Sequence, residues 1–446
     1  MKFLIIGGDA AGMSAASRAK RRSPDLEVTV LEKTGDVSYS ACGMPYNIAA
    51  PGKEIEALVV RQARVFREKQ GIDVKTGYFA RAIDPVDRLV SGTTADGTAF
   101  EYAYDRLLLA TGGTPLVPDL PGFDLPGVHV LKSLDDGRRI KAFIKTNNVK
   151  KVVIIGMGYI GLEMCEALRA LSIEVAMVKP GPVFLPWLAK ELADTVREEV
   201  LSHDVDLHAG HSVEKIEASE SRLKVLCRGL ALDADMVLVA MGLKPGSELA
   251  QAAGLRTGVN ETIAVNRSLL TSDANIYAAG DCADAYHIVT GEKTWIPLAL
   301  RANRAGWAVA DNVCGEKVEL DGIAGTAVFK AFDLEVARVG LTVTEAEQAG
   351  FHPESVSVKT RSRAHAHPGS KPIQVHMIGD KKSGRLLGVQ MVGREGVAHR
   401  INAPAVALHA RMTVSRFSQT DLAYAPPFGP TWDPLLTAAN QLLKKM

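Results

Sequence analysis

The stretch Lys2-Phe3-Leu4-Ile5-Ile6-Gly7-Gly8-Asp9-Ala10-Ala11-Gly12 decides the fold of this chain. It predicts a buried strand that ends in a glycine turn, a small-residue helix to about Arg22, and a second strand over residues 27–31 that ends at Glu32. Residues 151–179 repeat this order, with a strand at 151–155, the loop Gly156-Met157-Gly158-Tyr159-Ile160-Gly161, a helix to about Leu171 and a strand at 174–178. Each segment is a βαβ unit of the Rossmann kind. Two such units predict two bound dinucleotides.

Further apolar segments divide the rest of the chain. Residues 107–113 and 236–242 predict buried strands that end in glycine turns and close one dinucleotide domain each. Residues 275–281 predict a strand that returns to the first domain and ends in Gly-Asp before a helix, so that the second domain is inserted in the first. From about Gly322, strands at 326–332, 334–340, 374–378 and 386–392 alternate with helices. We expect an α/β chain with domains at 1–112 plus 243–320, at 113–242, and at 321–446, the last of α+β type.

The bulk composition excludes several function classes. The chain has 446 residues, 47% hydrophobic and 23% charged, with a net charge of +1, which gives no reason to expect a nucleic acid or a membrane as partner. No apolar run approaches the ~18–20 residues of a membrane span, and the first one is too short for a signal peptide. The five cysteines form no C-x-x-C pair, which argues against a metal site or a disulfide framework. We therefore expect a cytoplasmic location with reduced thiols.

The two glycine loops are predicted to bind phosphate. Gly156-x-Gly158-x-x-Gly161 matches the full dinucleotide fingerprint, whereas the first loop has Asp9 where the middle glycine is expected. Glu32 follows Gly12 by 20 residues and can accept hydrogen bonds from a ribose 2′-hydroxyl. The matching position in the second unit is Lys179, which can pair with a 2′-phosphate and favours NADPH; a solvated lysine at a strand end is the alternative.

Cys42 is the predicted reactive residue. It lies ten residues after Glu32, where a thiol can sit against a bound flavin, and it precedes a predicted helix that would stabilise its thiolate. A dithiol flavoenzyme would carry a second cysteine five positions further on, where this chain has Asn47. The remaining cysteines lie on apolar helical or strand positions and are expected to be inert; they are Cys165, Cys227, Cys282 and Cys314.

Together these motifs resemble one group of enzymes, the single-cysteine pyridine nucleotide–disulfide oxidoreductases. The group comprises coenzyme A-disulfide reductases, NADH-dependent persulfide or polysulfide reductases, NADH oxidases and NADH peroxidases. The resemblance covers essentially the whole chain. Its motifs are highly specific for the group, but they distinguish much less well between the members of the group. The motifs that carry it are Gly7-Gly8-Asp9-Ala10-Ala11-Gly12-Met13-Ser14-Ala15-Ala16, Ser38-x-x-x-Cys42-Gly43-x-Pro45-Tyr46, the second glycine loop, and Tyr424-Ala425-Pro426-Pro427-Phe428.

The resemblance implies a homodimer whose subunits have an FAD domain (1–112 and 243–320), an NAD(P)H domain (113–242) and a C-terminal dimerisation domain (321–446). It implies NAD(P)H-dependent reduction of coenzyme A disulfide, or of coenzyme A persulfide or polysulfide, through a mixed disulfide on Cys42. Tyr424 would act with Cys42 as a proton donor from the partner subunit; a core tyrosine at the dimer interface is the alternative. We expect no rhodanese domain after Met446.

The resemblance also implies the binding residues. The residues expected to contact FAD are Gly7, Gly8, Asp9, Ala10, Ala11, Gly12, Glu32, Lys33, Cys42, Ala110, Thr111, Gly112, Gly280, Asp281, Pro297, Leu298 and Ala299. Those expected to contact NAD(P)H are Gly156, Gly158, Tyr159, Ile160, Gly161, Glu163, Lys179 and Gly242. Those expected to contact coenzyme A or another substrate are Ser14, Arg18, Arg21, Ser38, Asn303 and Trp432. Three of these residues have structural alternatives, because Asp281 would also suit a helix N-cap and Arg18 with Arg21 would also suit a solvated basic cluster.

Some positions depart from the coenzyme A-disulfide reductases. Ala41 stands where asparagine is frequent, Ala366-His367 replaces a pair of tyrosines, and Trp432 replaces a lysine. The alternative is an NADH oxidase or peroxidase that reduces O2 or H2O2 through a Cys42 sulfenate. Those enzymes often place a histidine on the helix after Gly12, but this chain has Met13 and Ser14 there and its first histidine is His129. A redox-sensing binding protein on the same scaffold is the non-enzymatic alternative.

Overall fold

The structure is a computed structural model that describes residues 1–219 and 222–446. Its strands, in chain order, are β1 (Lys2–Ile6), β2 (Glu27–Glu32), β3 (Asp73–Thr76), β4 (Tyr78–Asp84), β5 (Leu89–Thr94), β6 (Ala99–Ala103), β7 (Arg106–Leu109), β8 (Gly113–Pro115), β9 (Val128–His129), β10 (Lys151–Ile155), β11 (Glu174–Lys179), β12 (Val205–Ala209), β13 (Val213–Ser219), β14 (Arg222–Cys227), β15 (Leu230–Ala234), β16 (Met236–Val239), β17 (Leu243–Pro245), β18 (Ile276–Ala278), β19 (Ala285–Tyr286), β20 (Lys293–Thr294), β21 (Ala327–Ala331), β22 (Leu334–Gly340), β23 (Pro353–Arg361), β24 (Pro372–Asp380) and β25 (Leu386–Gly393).

In the part of the chain that the structure describes, thirteen α-helices lie between or after runs of these strands. They are α1 (Ala10–Arg22), α2 (Met44–Ile48), α3 (Ala63–Gln70), α4 (Leu134–Thr146), α5 (Tyr159–Ala170), α6 (Lys190–Leu201), α7 (Glu248–Ala252), α8 (Ala299–Val313), α9 (Val343–Gln348), α10 (Val397–Arg400), α11 (Asn402–His409), α12 (Val414–Phe417) and α13 (Pro434–Leu443). Within the described residues, none of these helices is long and apolar enough to cross a membrane.

Two parallel five-stranded sheets are built around the two predicted βαβ units, and β3, β9 and β12 add strands that the sequence analysis did not predict. The first has the order β18-β7-β1-β2-β3 and the second the order β12-β11-β10-β16-β9. Helices cover one face of each sheet and a three-stranded antiparallel sheet packs against the other, so the central strands are continuous apolar runs, and Ile5 and Ile154 are fully buried. Pairing of β18 with β7 returns the chain to the first sheet after the second is complete. The fold class is therefore confirmed, whereas the exact domain boundaries stay a prediction.

The C-terminal region is built on one antiparallel sheet with the order β21-β22-β25-β24-β23. The sequence predicted four of these strands and missed β23. In β23 intermediate and exposed positions alternate without a buried residue, because it is an edge strand. The two three-stranded antiparallel sheets, β4-β5-β6 and β13-β14-β15, were also missed.

Helix α2, which follows Cys42, joins the first domain to the second. Its buried side chains Met44 and Ile48 belong to the same hydrophobic core as Leu162 of α5 and Leu134 of α4. The Nζ of Lys141 on α4 donates to the side-chain oxygen of Asn47 at 2.8 Å and to the carbonyl of Lys53 at 2.5 Å. The position that holds a second sulfur in dithiol enzymes is therefore used here as an attachment point between the two domains.

Candidate active site

The first dinucleotide cradle lies where β1 turns into α1. The backbone of Gly7 has a φ of 113°, and its N–H donates to the carbonyl of Leu31 at 2.8 Å. A side chain at Gly7 would run into the carbonyl of Ala110, so the turn requires glycine. Helix α1 begins without a side-chain cap from Asp9, which leaves the N–H groups of its first turn available to a pyrophosphate.

Glu32 closes this cradle from the end of β2. Its side chain is buried, and its carboxylate accepts hydrogen bonds from the backbone N–H groups of Gly8 at 2.7 Å and Thr34 at 2.8 Å. The hydroxyl of Thr34 donates to the same carboxylate at 2.8 Å. These bonds hold a carboxylate beside the glycine loop, where it can accept hydrogen bonds from a ribose.

Two acids and a lysine lie along the cleft beyond the loop. Burial raises the pKa of Asp9 to about 6, and the charge of Lys132 opposes that shift. The Nζ of Lys132 lies 3.4 Å from the carboxylate of Asp281. Sequence reasoning named both acids but missed Lys132, whose only local signal is its place directly before the Ser133 capping box that begins α4.

The helix predicted directly after Asp281 is wrong. Residues 281–282 form a turn, Ala283 pairs with Ile263, and the next helix begins at Ala299. The buried guanidinium of Arg301 donates to the carbonyls of Gly280 at 3.1 Å, Ala283 at 2.8 Å and Asp284 at 2.6 Å. An arginine distant in sequence thus satisfies carbonyls that a helix would have bonded to its own amides.

The second cradle reproduces the first. Gly156 has a φ of 117°, and its N–H donates to the carbonyl of Val178 at 2.8 Å. A side chain at Gly158 would meet no protein atom within 4 Å, so the middle of this loop faces open space. That opening is where a pyrophosphate can approach the backbone.

Cys42 lies in a single 3-10 turn, Ala41–Gly43, directly before α2. Ser38, at the start of the same loop, adopts a left-handed φ of 51°, which for serine is a strained conformation of a kind often found at functional sites. The Cys42 side chain is accessible from the cleft. The surrounding protein partly desolvates the thiol and so raises its pKa. The negative charge of Glu163 raises this pKa further, and the positive charge of Lys132 lowers it. The structure does not bear out the predicted stabilisation of the thiolate, because burial and the nearby carboxylates raise the pKa of the thiol more than Lys132 lowers it.

Glu163 joins Cys42 to the second cradle. It lies in the first turns of α5, and its carboxylate accepts a hydrogen bond from the hydroxyl of Tyr46 at 3.0 Å. Burial raises the pKa of Glu163, while the bond from Tyr46 lowers it. A carboxylate of the second domain thus lines the same cavity as the cysteine of the first domain and acts on its charge.

One cavity of about 2530 Å³ collects most of the predicted site. It is larger than the roughly 300–1,000 Å³ of an ordinary small-molecule pocket, and it has room for two dinucleotides. All the predicted binding and catalytic residues line it except Gly12, Gly161, Arg18, Tyr424 and Trp432. Gly12 and Gly161 instead lie under their loops, because a side chain on either would collide with the carbonyl of the first glycine of its own loop.

The predicted coenzyme A residues are only partly brought together. The hydroxyl of Ser14 donates to the side chain of Asn303 at 2.6 Å, and both line the cavity with Arg21. Arg18 does not reach it, because its guanidinium donates twice to Asp311, at 2.7 and 2.8 Å, and lies over the ring of Trp307. Asp311 follows Arg18 by 293 positions, so nothing local in the sequence indicated this pair.

Tyr424 and Trp432 lie on a different surface of the subunit. Their side chains are 52% and 63% exposed, and Phe428 between them is 78% exposed. The segment from residue 419 to 431 contains no helix or strand. A role for Tyr424 at a cysteine therefore requires a second subunit.

The residues present fit FAD and a nicotinamide dinucleotide. Each cradle has a glycine turn that admits no side chain and an α-helix without a side-chain cap at its N-terminus. The first cradle also has a buried carboxylate at the ribose position, and one cavity connects both cradles to Cys42. Phosphate recognition by backbone N–H groups and helix N-termini is the chemistry that such an arrangement supplies.

Comparison with known proteins identifies relatives over the full length of the chain. Residues 1–306 match the family model "Pyridine nucleotide-disulphide oxidoreductase", and residues 326–434 match its dimerisation domain. A protein of Pyrococcus abyssi named NAD(P)H sulfur oxidoreductase (CoA-dependent) is 40% identical over 98% of this chain and 97% of its own length. A Methanocaldococcus jannaschii protein named NADH oxidase is 34% identical over 100% and 99%.

A solved structure resembles the whole subunit. It is a NAD-dependent persulfide reductase from A. fulgidus, 36% identical, with a TM-score of 0.96 over 100% of this chain and 83% of that one. The similarity therefore extends to the arrangement of the domains as well as to the sequence motifs.

Proposed function

The chain belongs to the pyridine nucleotide-disulphide oxidoreductase family, and from this we propose that it reduces coenzyme A disulfide, or coenzyme A persulfide and polysulfide, with NAD(P)H through Cys42. The reaction class, a flavin-dependent NAD(P)H oxidoreductase acting on sulfur, is the one predicted from the sequence, and the comparisons confirm it. The observation that carries the site assignment is the single cavity in which both dinucleotide cradles meet one cysteine.

The first cradle, Gly7 to Gly12 with Glu32, would hold FAD, which when bound would accept a hydride from the nicotinamide and pass two electrons to sulfur. The Cys42 thiolate attacks one sulfur of the disulfide, displaces the other half as a thiolate and keeps the first half in a mixed disulfide. Two electrons then restore the Cys42 thiolate and release the second thiolate. Because position 47 is an asparagine and not a second cysteine, the disulfide partner of Cys42 comes from the substrate.

Charged residues around Cys42 control its protonation. Glu163 opposes the thiolate and Lys132 favours it. A nicotinamide dinucleotide bound in the cleft would change the surroundings of Glu163, because Glu163 lies beside the second glycine loop. We assign to Tyr46 the role of holding the Glu163 carboxylate, through their 3.0 Å hydrogen bond, and thereby its distance from the thiol.

Membership of this family also supports proposals for the oligomeric state, the coenzyme A site and the cellular location. The dimerisation domain supports a homodimer, in which Tyr424 of one subunit serves the cysteine of the other. Coenzyme A would bind beside Ser14, Arg21, Ser38 and Asn303. A cytoplasmic location is supported by five cysteines that are all free.

The second candidate function is reduction of O2 or H2O2 through a Cys42 sulfenate. One relative is named NADH oxidase, which favours it. Among the described residues, the only histidine that lines the cavity is His409 on α11, and none lies on α1. The sulfur reaction is therefore the better supported of the two.

The test is an anaerobic turnover panel with coenzyme A disulfide, coenzyme A persulfide and polysulfide, each with NADH and NADPH. We expect NAD(P)H to bleach the flavin and at least one sulfur substrate to restore its colour in the wild type and in the control variant Cys314→Ser. Cys42→Ser should still be bleached but should lose sulfur turnover. Full sulfur turnover by Cys42→Ser, or four-electron oxidation by O2 faster than any sulfur reaction, would contradict the proposal.

A further inference from the structure

We propose that Asp9 takes up a proton when FAD fills the first cradle, so that the loaded enzyme carries a neutral carboxylic acid at the middle of its first glycine loop. This inference rests on the proposed function and adds to it a proton that binds together with the cofactor. It is carried by the direction of the Asp9 side chain and by the charged groups that surround it.

The second cradle indicates where the Asp9 side chain points. Asp9 and Gly158 are the N-cap residues of α1 and α5, with φ and ψ of −108° and −148° at Asp9 and of −89° and −170° at Gly158. Because the two backbones are similar, a Cβ points in a similar direction from each loop. A Cβ on Gly158 would meet no protein atom within 4 Å, and this open side is the one that a pyrophosphate approaches. The Asp9 side chain, which lines the cavity, therefore extends toward the space of the cofactor phosphates.

The negative charge of Asp9 has less support than that of the two acids beside it. Among the described residues, the Asp9 carboxylate neither caps α1 nor forms an ion pair. Lys132, whose charge acts on Asp9, lies 3.4 Å from the carboxylate of Asp281 instead. Glu32 accepts three hydrogen bonds, which favour its ionised form. Asp9 is therefore the carboxylate of this cleft that is neutralised most readily.

Titratable groups face Asp9 from each neighbouring element. They are Glu32 at the end of β2, Tyr39 and Cys42 in the loop before α2, Lys132 before α4, and Asp281 after β18. Burial raises the pKa of Asp9 to about 6, and the charges of Glu32 and Asp281 add to this effect. Lys132 and the backbone of Tyr39 oppose it. The carboxylates that act on Asp9 thus prevail over the single lysine before any cofactor is bound.

Bound FAD brings further negative charge to this point, because its pyrophosphate is anionic. A like charge close to a carboxyl group disfavours the ionised form and raises the pKa. The pKa of Asp9 in the open cleft is already about 6, so the added charge moves it above neutral pH. A proton from the solvent then binds to a carboxylate oxygen of Asp9. Because a raised pKa favours the protonated state, FAD should bind most tightly at low pH and more weakly as the pH rises above about 6.

The experiment is equilibrium dialysis of the holoenzyme at constant salt from about pH 5 to about pH 8, which gives the dissociation constant for FAD at each pH. In the wild type this constant should be nearly flat below about pH 6 and should rise by up to about tenfold per pH unit above it, the slope for uptake of one proton. Asp9→Asn, which resembles the neutral acid, should remove the slope and hold FAD more tightly than the wild type at the upper end of the range. Asp9→Gly, which restores the glycine of the fingerprint, should also remove it. The control Asp87→Asn, at an exposed position in the turn between β4 and β5, should follow the wild type.

A dissociation constant that does not change with pH in the wild type would overturn the inference. An unchanged slope in Asp9→Asn or Asp9→Gly would overturn it too, since the proton would then bind to another group. Both results leave the proposed function intact, because FAD is still bound. Isolation of the chain without FAD, together with failure of added FAD to bind at any pH, would overturn the proposed function itself.

Discussion

The contact between α1 and α8 holds the FAD cradle, and a single methyl group should disturb it. A Cβ built on Gly306 of α8 would lie 2.2 Å from the carbonyl oxygen of Ala11 and 3.1 Å from the amide nitrogen of Ala15. Ordinary van der Waals separation is about 3.5 Å, so Gly306→Ala forces the two helices apart by roughly 1 Å. The atoms in the way are backbone atoms, which no rotamer change can move aside.

The cost follows from two opposing effects. Overpacking of this kind costs about 1–3 kcal/mol, and alanine returns up to about 1 kcal/mol through its higher helix propensity. We expect a net destabilisation of about 1–2 kcal/mol, which corresponds to a fall in Tm of roughly 2–8 °C for a domain of this size. Because Ala11 belongs to the first turn of α1, the displaced helix should also bind FAD more weakly.

The assay is a thermal scan that follows the fluorescence of released FAD, with a parallel titration of apoprotein with FAD. Gly35→Ala is the matched control, since Gly35 is exposed and a Cβ there would meet no atom within 4 Å. The control should melt and bind FAD like the wild type. An unchanged Tm and FAD affinity in Gly306→Ala would refute the reasoning that close backbone packing at this point positions the cradle.

Three further predictions concern Cys42 and its supports. Glu163→Gln removes a charge that raises the pKa of the Cys42 thiol, so its alkylation by iodoacetamide should become fast at lower pH than in the wild type; an unchanged pH midpoint would argue against the coupling. Lys132→Met removes the charge that lowers the same pKa, and its alkylation midpoint should move to higher pH; a shift in the same direction as Glu163→Gln would contradict the assigned signs. Lys141→Met leaves the oxygen of Asn47 and the carbonyl of Lys53 without their donor, which should destabilise the protein to denaturant by about 1–3 kcal/mol; the exposed Lys145→Met on the same helix should have no effect, and equal behaviour of the two would show that the attachment is dispensable.

The repeated βαβ units were predictable because their signal is local. Glycine at a fixed spacing and an apolar strand before it indicate the same turn wherever they occur, and both units were found within a residue or two of their observed limits. The α/β class and the α+β character of the C-terminal region follow from the same periodicities. Strands whose hydrophobic pattern is weak, such as the edge strand Pro353–Arg361, were missed because they lack such a local signal.

The charges of the site were less predictable because their partners are distant in sequence. The Arg18–Asp311 pair joins α1 to α8, Lys132 reaches Asp281 across 149 positions, and Arg301 replaces an expected helix by capping a turn. The thiolate of Cys42 was expected to be stabilised by the following helix, but burial and Glu163 act more strongly. Proximity of this kind is decided by the tertiary fold, and one sequence without its structure does not contain a direct signal for it.

The central claim is that Cys42 alone exchanges with the substrate. Its most direct test is peptide mapping by mass spectrometry, without reductant, of enzyme that was first reduced and then treated anaerobically with coenzyme A disulfide. We predict one coenzyme A per chain, in disulfide linkage to the peptide that contains Cys42, and its loss when NAD(P)H is added. An adduct on Cys314 or another cysteine, or sulfur turnover with Cys42 unmodified throughout, would contradict it.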